Sequence, residues 1–110
     1  MLLDRLVAES EIVIDRPQGS RHPRFADYIY PLDYGYLKNT TAMDGGGIDV
    51  WRGTDAACGV VAVICIVDIA KRDSEIKVLI GCTREEIEIV YDRLNNTDCM
   101  KGVLILRDGC

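Results

Sequence analysis

Four short segments carry residues whose types and spacing could do chemistry. In Asp44-Gly45-Gly46-Gly47-Ile48-Asp49, three glycines sit between two aspartates. Glycine lets the backbone turn tightly and approach a ligand closely, so the two carboxylates can converge on one hard cation. Mg²⁺ suits such a pair, since it takes oxygen ligands, commonly one or two carboxylates completed by waters and a substrate phosphate. Successive glycine N–H groups can also cradle an anion. The same composition also fits a plain hairpin connection, because Asp and Gly are good turn formers.

In Asp73-Ser74-Glu75-Ile76-Lys77, alternate residues of an extended chain share a face. Asp73, Glu75 and Lys77 therefore align, and Ile76 and Val78 are left for the core. Two carboxylates beside an ammonium could hold a metal and a phosphate oxygen together. A solvated strand face with weak ion pairs, each contributing about 0–1 kcal/mol, would look the same. Between Tyr28 and Tyr36, residues Tyr30, Tyr34 and Tyr36 share a face if the strand is regular, and their hydroxyls can donate to phosphate oxygens. Core packing with hydroxyls at the rim is the alternative, and Asp33 points away from the tyrosines in either case. Arg16, Arg21, His22 and Arg24 form a basic loop whose guanidiniums could grip phosphate bidentately. His22 is the only histidine, and no Ser or Cys stands out as its nucleophilic partner, so a Ser/Cys–His hydrolase is poorly supported.

The elements that must position these residues are mostly strands. Leu2, Leu3, Leu6 and Val7 share one helical face and predict a short N-terminal helix. Strands are expected at Glu11–Asp15, Ile48–Arg52, Val60–Ile69, Glu75–Cys82 and Cys99–Leu106, with an extended aromatic stretch over Tyr28–Tyr36. The continuous apolar run at Val60–Ile69 predicts burial on both faces. Thr83 and Glu86 form a capping box, and Ile87, Val90, Tyr91 and Leu94 follow as an apolar stripe, which predicts one firm helix. Asn95-Asn96 can end it, since Asn tolerates the left-handed conformation. Strands joined by turns predict a mainly-β α+β domain, a small barrel or strongly bent antiparallel sheet with one or two packed helices.

Composition narrows the function classes. The 110 residues make one domain, with 48% apolar and 28% charged residues. A net charge of -5 opposes a nucleic-acid or anionic-membrane partner and suits a protein that collects cations. The longest apolar run is far short of the roughly 20 residues a membrane helix needs. No signal peptide is evident at the N-terminus, so a cytoplasmic location is expected. The five cysteines include no CxxC pair, which predicts buried free thiols rather than a disulfide framework or zinc site.

Taken in order, Ile14-Asp15-Arg16, Tyr30-Pro31-Leu32-Asp33-Tyr34-Gly35-Tyr36, Asp44 to Val50 and Asp73 to Lys77 resemble the soluble family I inorganic pyrophosphatases, over roughly Ile12 to Gly81. The resemblance implies a five-stranded OB-like antiparallel barrel with helices outside, Mg²⁺ as cofactor, hydrolysis of pyrophosphate to two phosphates, and a homo-oligomer. By position it implies Asp44, Asp49, Asp73 and Glu75 as metal ligands, and Lys77, Tyr34 and Tyr30 as phosphate contacts. Asp44, Asp49 and Lys77 would form the catalytic centre, and Arg24 would be the phosphate-binding arginine, with Arg21 as the alternative. Gly46 stands where the family has an aspartate that helps deprotonate the attacking water. A catalytically inactive barrel that binds a phosphate ligand or a protein partner is therefore the competing function.

Overall fold

The computed structural model describes residues 2–96 and 100–107. Helix α1 spans Leu2–Glu9, and strands β1 to β5 follow at Ile12–Arg16, Asp33–Leu37, Ile48–Arg52, Val60–Asp68 and Asp73–Ile80. Helix α2 spans Arg84–Asn95, and β6 is Met100–Leu106. No helix among the described residues is long and apolar enough to cross a membrane.

The six strands form one sheet in the order β1-β2-β3-β5-β4-β6. This corrects the expected five-stranded antiparallel barrel. The sheet is open, and β3 runs parallel to β5, with Asp49 opposite Lys77 and Trp51 opposite Leu79. The parallel pair arises because β4 and β5 form a hairpin that docks on β3 through its second strand. Every other ladder is antiparallel among the described residues.

Alternation sorts the strand side chains onto two faces. On one, Trp51, Ile64, Ile66 and Leu79 pack with Ile87, Val90 and Leu94 of α2. On the other, Leu37, Val50, Val60, Val78 and Ile80 pack with Leu3 and Val7 of α1. Each fully buried aliphatic side chain stabilises by about 1.5–3 kcal/mol. β4 is buried on both faces only at its start. Beyond Ala62 one face stays covered by Ile64 and Ile66, while Val67 is 57% exposed. Ile76 is likewise exposed rather than in the core, because no layer covers that end of the outer face.

Helix α2 starts as its sequence dictates. The Glu86 amide donates to Thr83 Oγ1, and Glu86 Oε1 accepts from the Thr83 amide. The same oxygen also accepts from the amide and hydroxyl of Thr54, which ties the loop after β3 to the helix. At the other end, Asn96 has φ -88°, so the left-handed ending is not used. Instead Asn95 Oδ1 accepts from the Gly102 amide, fixing the helix end against β6.

Of the cysteines, Cys65 and Cys82 carry free thiols as expected. Cys58 departs from that expectation and is disulfide-bonded; sequence spacing does not show which cysteines meet in space. Cys99 and Cys110 lie outside the described residues.

Candidate functional site

The α2-facing side of the sheet turns from apolar to acidic toward one end, and register explains why. Across β3, β5, β4 and β6 one row reads Asp49, Lys77, Ile64, Leu104. The next rows read Glu75, Ile66, Gly102 and then Asp73, Asp68, Met100. With Asp44 from the glycine loop, these carboxylates line a cavity of about 150 Å³ whose wall also includes Lys71. All four sequence-predicted metal ligands, Asp44, Asp49, Asp73 and Glu75, therefore meet in one place.

Lys77 organises that cavity. Its side chain is 9% exposed. Its Nζ donates to Tyr34 Oη at 2.8 Å and to Asp49 Oδ2 at 2.9 Å, and lies 2.9 Å from Glu75 Oε1. Burial by itself would lower the ammonium's pKa. Tyr34, Asp49 and Glu75 together overcome that and hold it above the ordinary lysine value. Burial raises the Tyr34 phenol well above its usual range, so Tyr34 is neutral at physiological pH. An ammonium has three donors, and here two are hydrogen-bonded, to Tyr34 and Asp49, with Glu75 at ion-pair distance.

The glycine loop is a turn built on Asp44. Asp44 Oδ1 accepts from the Gly46 amide at 2.9 Å, and the Ala42 amide donates to the Gly46 carbonyl. Gly45 takes the left-handed conformation, with φ +87°.

A second cavity, of about 420 Å³, adjoins the first and shares Lys71, Glu75 and Met100 with it. Its aromatic wall is Phe25, Tyr28, Tyr30, Tyr34 and Trp51, with His22, and Lys77 and Arg93 also line it. Tyr30 and Tyr34 both line this cleft. Tyr30 Oη, however, accepts from Arg16 Nη1 at 2.6 Å. Tyr36 lies one register row from Tyr34, beside the glycine loop, and lines neither cavity. Asp33 does point away, bonding Arg52 and the Gln18 amide.

The basic loop behaves differently from the expectation. Arg24 and Arg21 line neither cavity. His22 Nδ1 accepts from the amides of Arg24 and Phe25, which turns the loop outward and leaves the Arg24 side chain exposed. Arg21 donates to the Ala26 carbonyl. The arginine at the cleft is Arg93 of α2, which donates to the Ile29 carbonyl at 3.0 Å and lies 5.3 Å from the Tyr28 ring centroid. Arg93, Lys71 and Asp68 were not evident from sequence. Arg93 reads as a polar helix-surface residue, and Asp68 and Lys71 read as turn residues. Asp68 Oδ1 does cap that turn through the Ala70 and Lys71 amides. The one available signal was the acidic spacing across the β4–β5 hairpin, where Asp68 opposes Asp73.

The donors around the carboxylate cavity are hard oxygens, which suit Mg²⁺ rather than a soft metal. Among the described residues, however, no three His, Cys, Asp or Glu side chains are already arranged as a metal-holding group. Asp49 and Glu75 are turned to Lys77, and Asp44 to its own loop. The fit is to an ion that keeps most of its water and takes only one or two carboxylates directly, as Mg²⁺ does. Cys82 offers no nucleophile, because burial first, and then Glu86, push its thiol up to about 12.

No protein-family model matches the chain. The inorganic pyrophosphatase of Methanosarcina mazei is 30% identical over 88 residues, an alignment covering 59% of this chain and 52% of that protein. The chain thus spans about half the length of the curated relative it matches. Among solved structures, the inorganic pyrophosphatase of Helicobacter pylori aligns with a TM-score of 0.54 at 13% identity, over 91% of each chain. An inorganic phosphatase of Anaplasma phagocytophilum aligns with a TM-score of 0.52 at 18% identity, over 82% of each chain. The chain is similar to inorganic pyrophosphatases in sequence over part of its length and in fold over most of it.

Proposed function

We propose that this chain hydrolyses pyrophosphate to two phosphates with Mg²⁺. The observation that carries this reading is the meeting of five carboxylates, Asp44, Asp49, Asp68, Asp73 and Glu75, in a cavity walled off from a cationic, hydroxyl-bearing cleft only by Lys71, Glu75 and Met100. Hydrolysing a phosphoanhydride needs both halves, one to gather positive charge and one to hold the phosphoryl oxygens. Bound Mg²⁺ would neutralise phosphate charge and acidify a coordinated water.

The chain's own residues supply the rest. Asp44, Asp49, Asp73 and Glu75 are the candidate metal-facing carboxylates. Lys77 holds Asp49 and Glu75 at one spacing and donates to Tyr34, whose burial keeps the phenol protonated. Lys71 and Arg93 supply the cations with donors still free for phosphate. No carboxylate stands at Gly46 to take the water's proton, so the activity is expected to be slow. The proposed setting is the cytoplasm.

Colorimetric phosphate release with and without Mg²⁺ tests the activity directly. The same reading predicts that Mg²⁺ stabilises the fold, because the clustered carboxylates repel one another. At a hundredfold excess over its dissociation constant an ion adds about 2.7 kcal/mol by mass action. Thermal melts in EDTA and in millimolar Mg²⁺ should therefore separate. Coincident melts together with no phosphate release would leave the inactive, ligand-binding reading, which Gly46 favours.

Self-association belongs to the same proposal. Val67, Ile76, Val103 and Ile105 lie exposed on the outer face of β4, β5 and β6, and β6 is a sheet edge. Such surfaces are normally covered. Light scattering should give a mass above 12.3 kDa; a strictly monomeric particle at high concentration removes this part.

A further inference from the structure

Building on the phosphoanhydride reading above, we propose that the site's substrate class is a nucleoside di- or triphosphate, its phosphates where the carboxylate cavity meets the adjoining cleft and its base against that cleft's aromatic wall.

The two compartments differ in size and chemistry. The acidic cavity is about 150 Å³ and the aromatic one about 420 Å³. Only the second falls in the roughly 300–1,000 Å³ range of small-molecule pockets. Pyrophosphate has no apolar surface, so it could use this wall through its tyrosine hydroxyls but not through the apolar ring surface of Phe25 and its neighbours. The wall is a continuous set of rings. Tyr34 lies 4.6 Å from Trp51 and 5.5 Å from Tyr30, and Tyr30 lies 5.1 Å from Tyr28. Phe25 extends the set outward, 5.0 Å from His22, and is 66% exposed.

Tyr30 and Trp51 are buried at the back of this wall, and the exposed ring on which a planar base can stack, whatever its identity, is Phe25. The charges are placed to match. Arg93 stands at the aromatic side, its guanidinium over Tyr28. Lys71 stands on the shared wall, where a phosphate chain would pass from one compartment to the other. Two Lys77 donors are committed to Tyr34 and Asp49, and the cation on the boundary between the compartments is Lys71.

The bond broken is the same anhydride. The oxygen of water bonds to the terminal phosphorus and the bond from that phosphorus to the bridging oxygen breaks. The bridging oxygen stays with the shortened nucleotide, and one proton goes to solvent.

The test is calorimetric titration of the full chain, in Mg²⁺, with ADP, with pyrophosphate and with adenosine, alongside chromatography of the products. ADP should bind at least about fivefold tighter than pyrophosphate, as stacking of one base implies, and should yield AMP and phosphate. Adenosine alone should bind more weakly than ADP. Phe25→Ala, at an exposed position that the fold does not depend on, should cut ADP affinity by about fivefold and pyrophosphate affinity by less than about twofold. Turnover of pyrophosphate with no tighter binding of ADP overturns this inference and leaves the hydrolase reading standing. ADP and adenosine binding equally, or Phe25→Ala weakening both phosphate ligands alike, also overturns it. No binding and no turnover of either phosphate compound overturns both readings.

Discussion

Gly46→Asp is expected to raise Mg²⁺-dependent phosphate release by about 10²–10⁴-fold, the usual worth of a positioned general base. The site geometry favours the change. Gly46 is exposed and avoids the left-handed conformation, which belongs to its neighbour Gly45. A Cβ built on Gly46 would meet only Asp44 Oδ1, at 3.4 Å, an ordinary contact. The new carboxylate would stand beside Asp44 on the rim of the acidic cavity. Its repulsion with Asp44 would cost some stability in EDTA, which Mg²⁺ should offset. Adding Gly47→Pro to stiffen the loop is expected to fail. A Cβ there would lie 2.8 Å from Tyr36 Cδ2 and 3.0 Å from the Leu37 carbonyl oxygen, and overpacking of this kind costs about 1–3 kcal/mol. If Gly46→Asp stays folded and releases no more phosphate than the parent chain, a missing base is not the defect, and the inactive ligand-binding reading becomes the better one.

Lys77→Met should destabilise the fold by about 3 kcal/mol and abolish phosphate release. Removing one partner from a buried ionic cluster typically costs about 3–5 kcal/mol because the remaining charges are left uncompensated. The lower end applies because Asp49 and Glu75 keep 23% and 26% of their side-chain surface exposed. Tyr34 would also lose a hydrogen-bond partner. Mg²⁺ should restore more stability to the variant than to the parent, since it can replace the lost positive charge. The pH dependence has a definite sign. Lys77 binds its proton more tightly folded than unfolded, so its contribution is complete below the ordinary value of 10.5 and falls as pH rises above it. Denaturant titrations across that window should show the gap between parent and variant narrowing with alkalinity. A constant gap, or a loss below about 1 kcal/mol, would reduce the cluster to a surface ion pair.

What could be read from sequence was the local part. The Thr83–Glu86 box and the Ile87-Val90-Tyr91-Leu94 stripe are short-range patterns, and helix α2 follows them. Strand β3 has the expected bounds, and period-two alternation correctly put Asp73, Glu75 and Lys77 on one face. The strand order was not readable, because the β3–β5 pairing joins segments separated by the whole of β4. That pairing is what makes the sheet open and six-stranded. The cations failed for a related reason. Arg24 lies near the tyrosines in sequence but is carried away by the His22 turn, whereas Arg93 is 65 residues beyond Tyr28 and reaches it only because α2 packs across the sheet. Gly46 shows the limit from the other side: its identity was plain, and only the backbone showed that Gly45 carries the positive φ.

The parallel seam between β3 and β5 bears on how the molecule assembles. It joins two antiparallel units, β1-β2-β3 and β5-β4-β6. Within the first, strands neighbouring in sequence also neighbour in space, and β4 and β5 close as a hairpin. Pairs across the seam lie 28 residues apart, and those of β4 with β6 lie 32 to 44 apart, so these two ladders are expected to form more slowly than the others. Asp49 belongs to one unit and Glu75 and Lys77 to the other, 28 residues from Asp49 to Lys77. Neither unit alone holds the ammonium between its carboxylates. Asp68, Asp73 and Glu75 already share the β4–β5 hairpin, so closing the seam is the step that adds Asp49 and completes the setting of the buried ammonium.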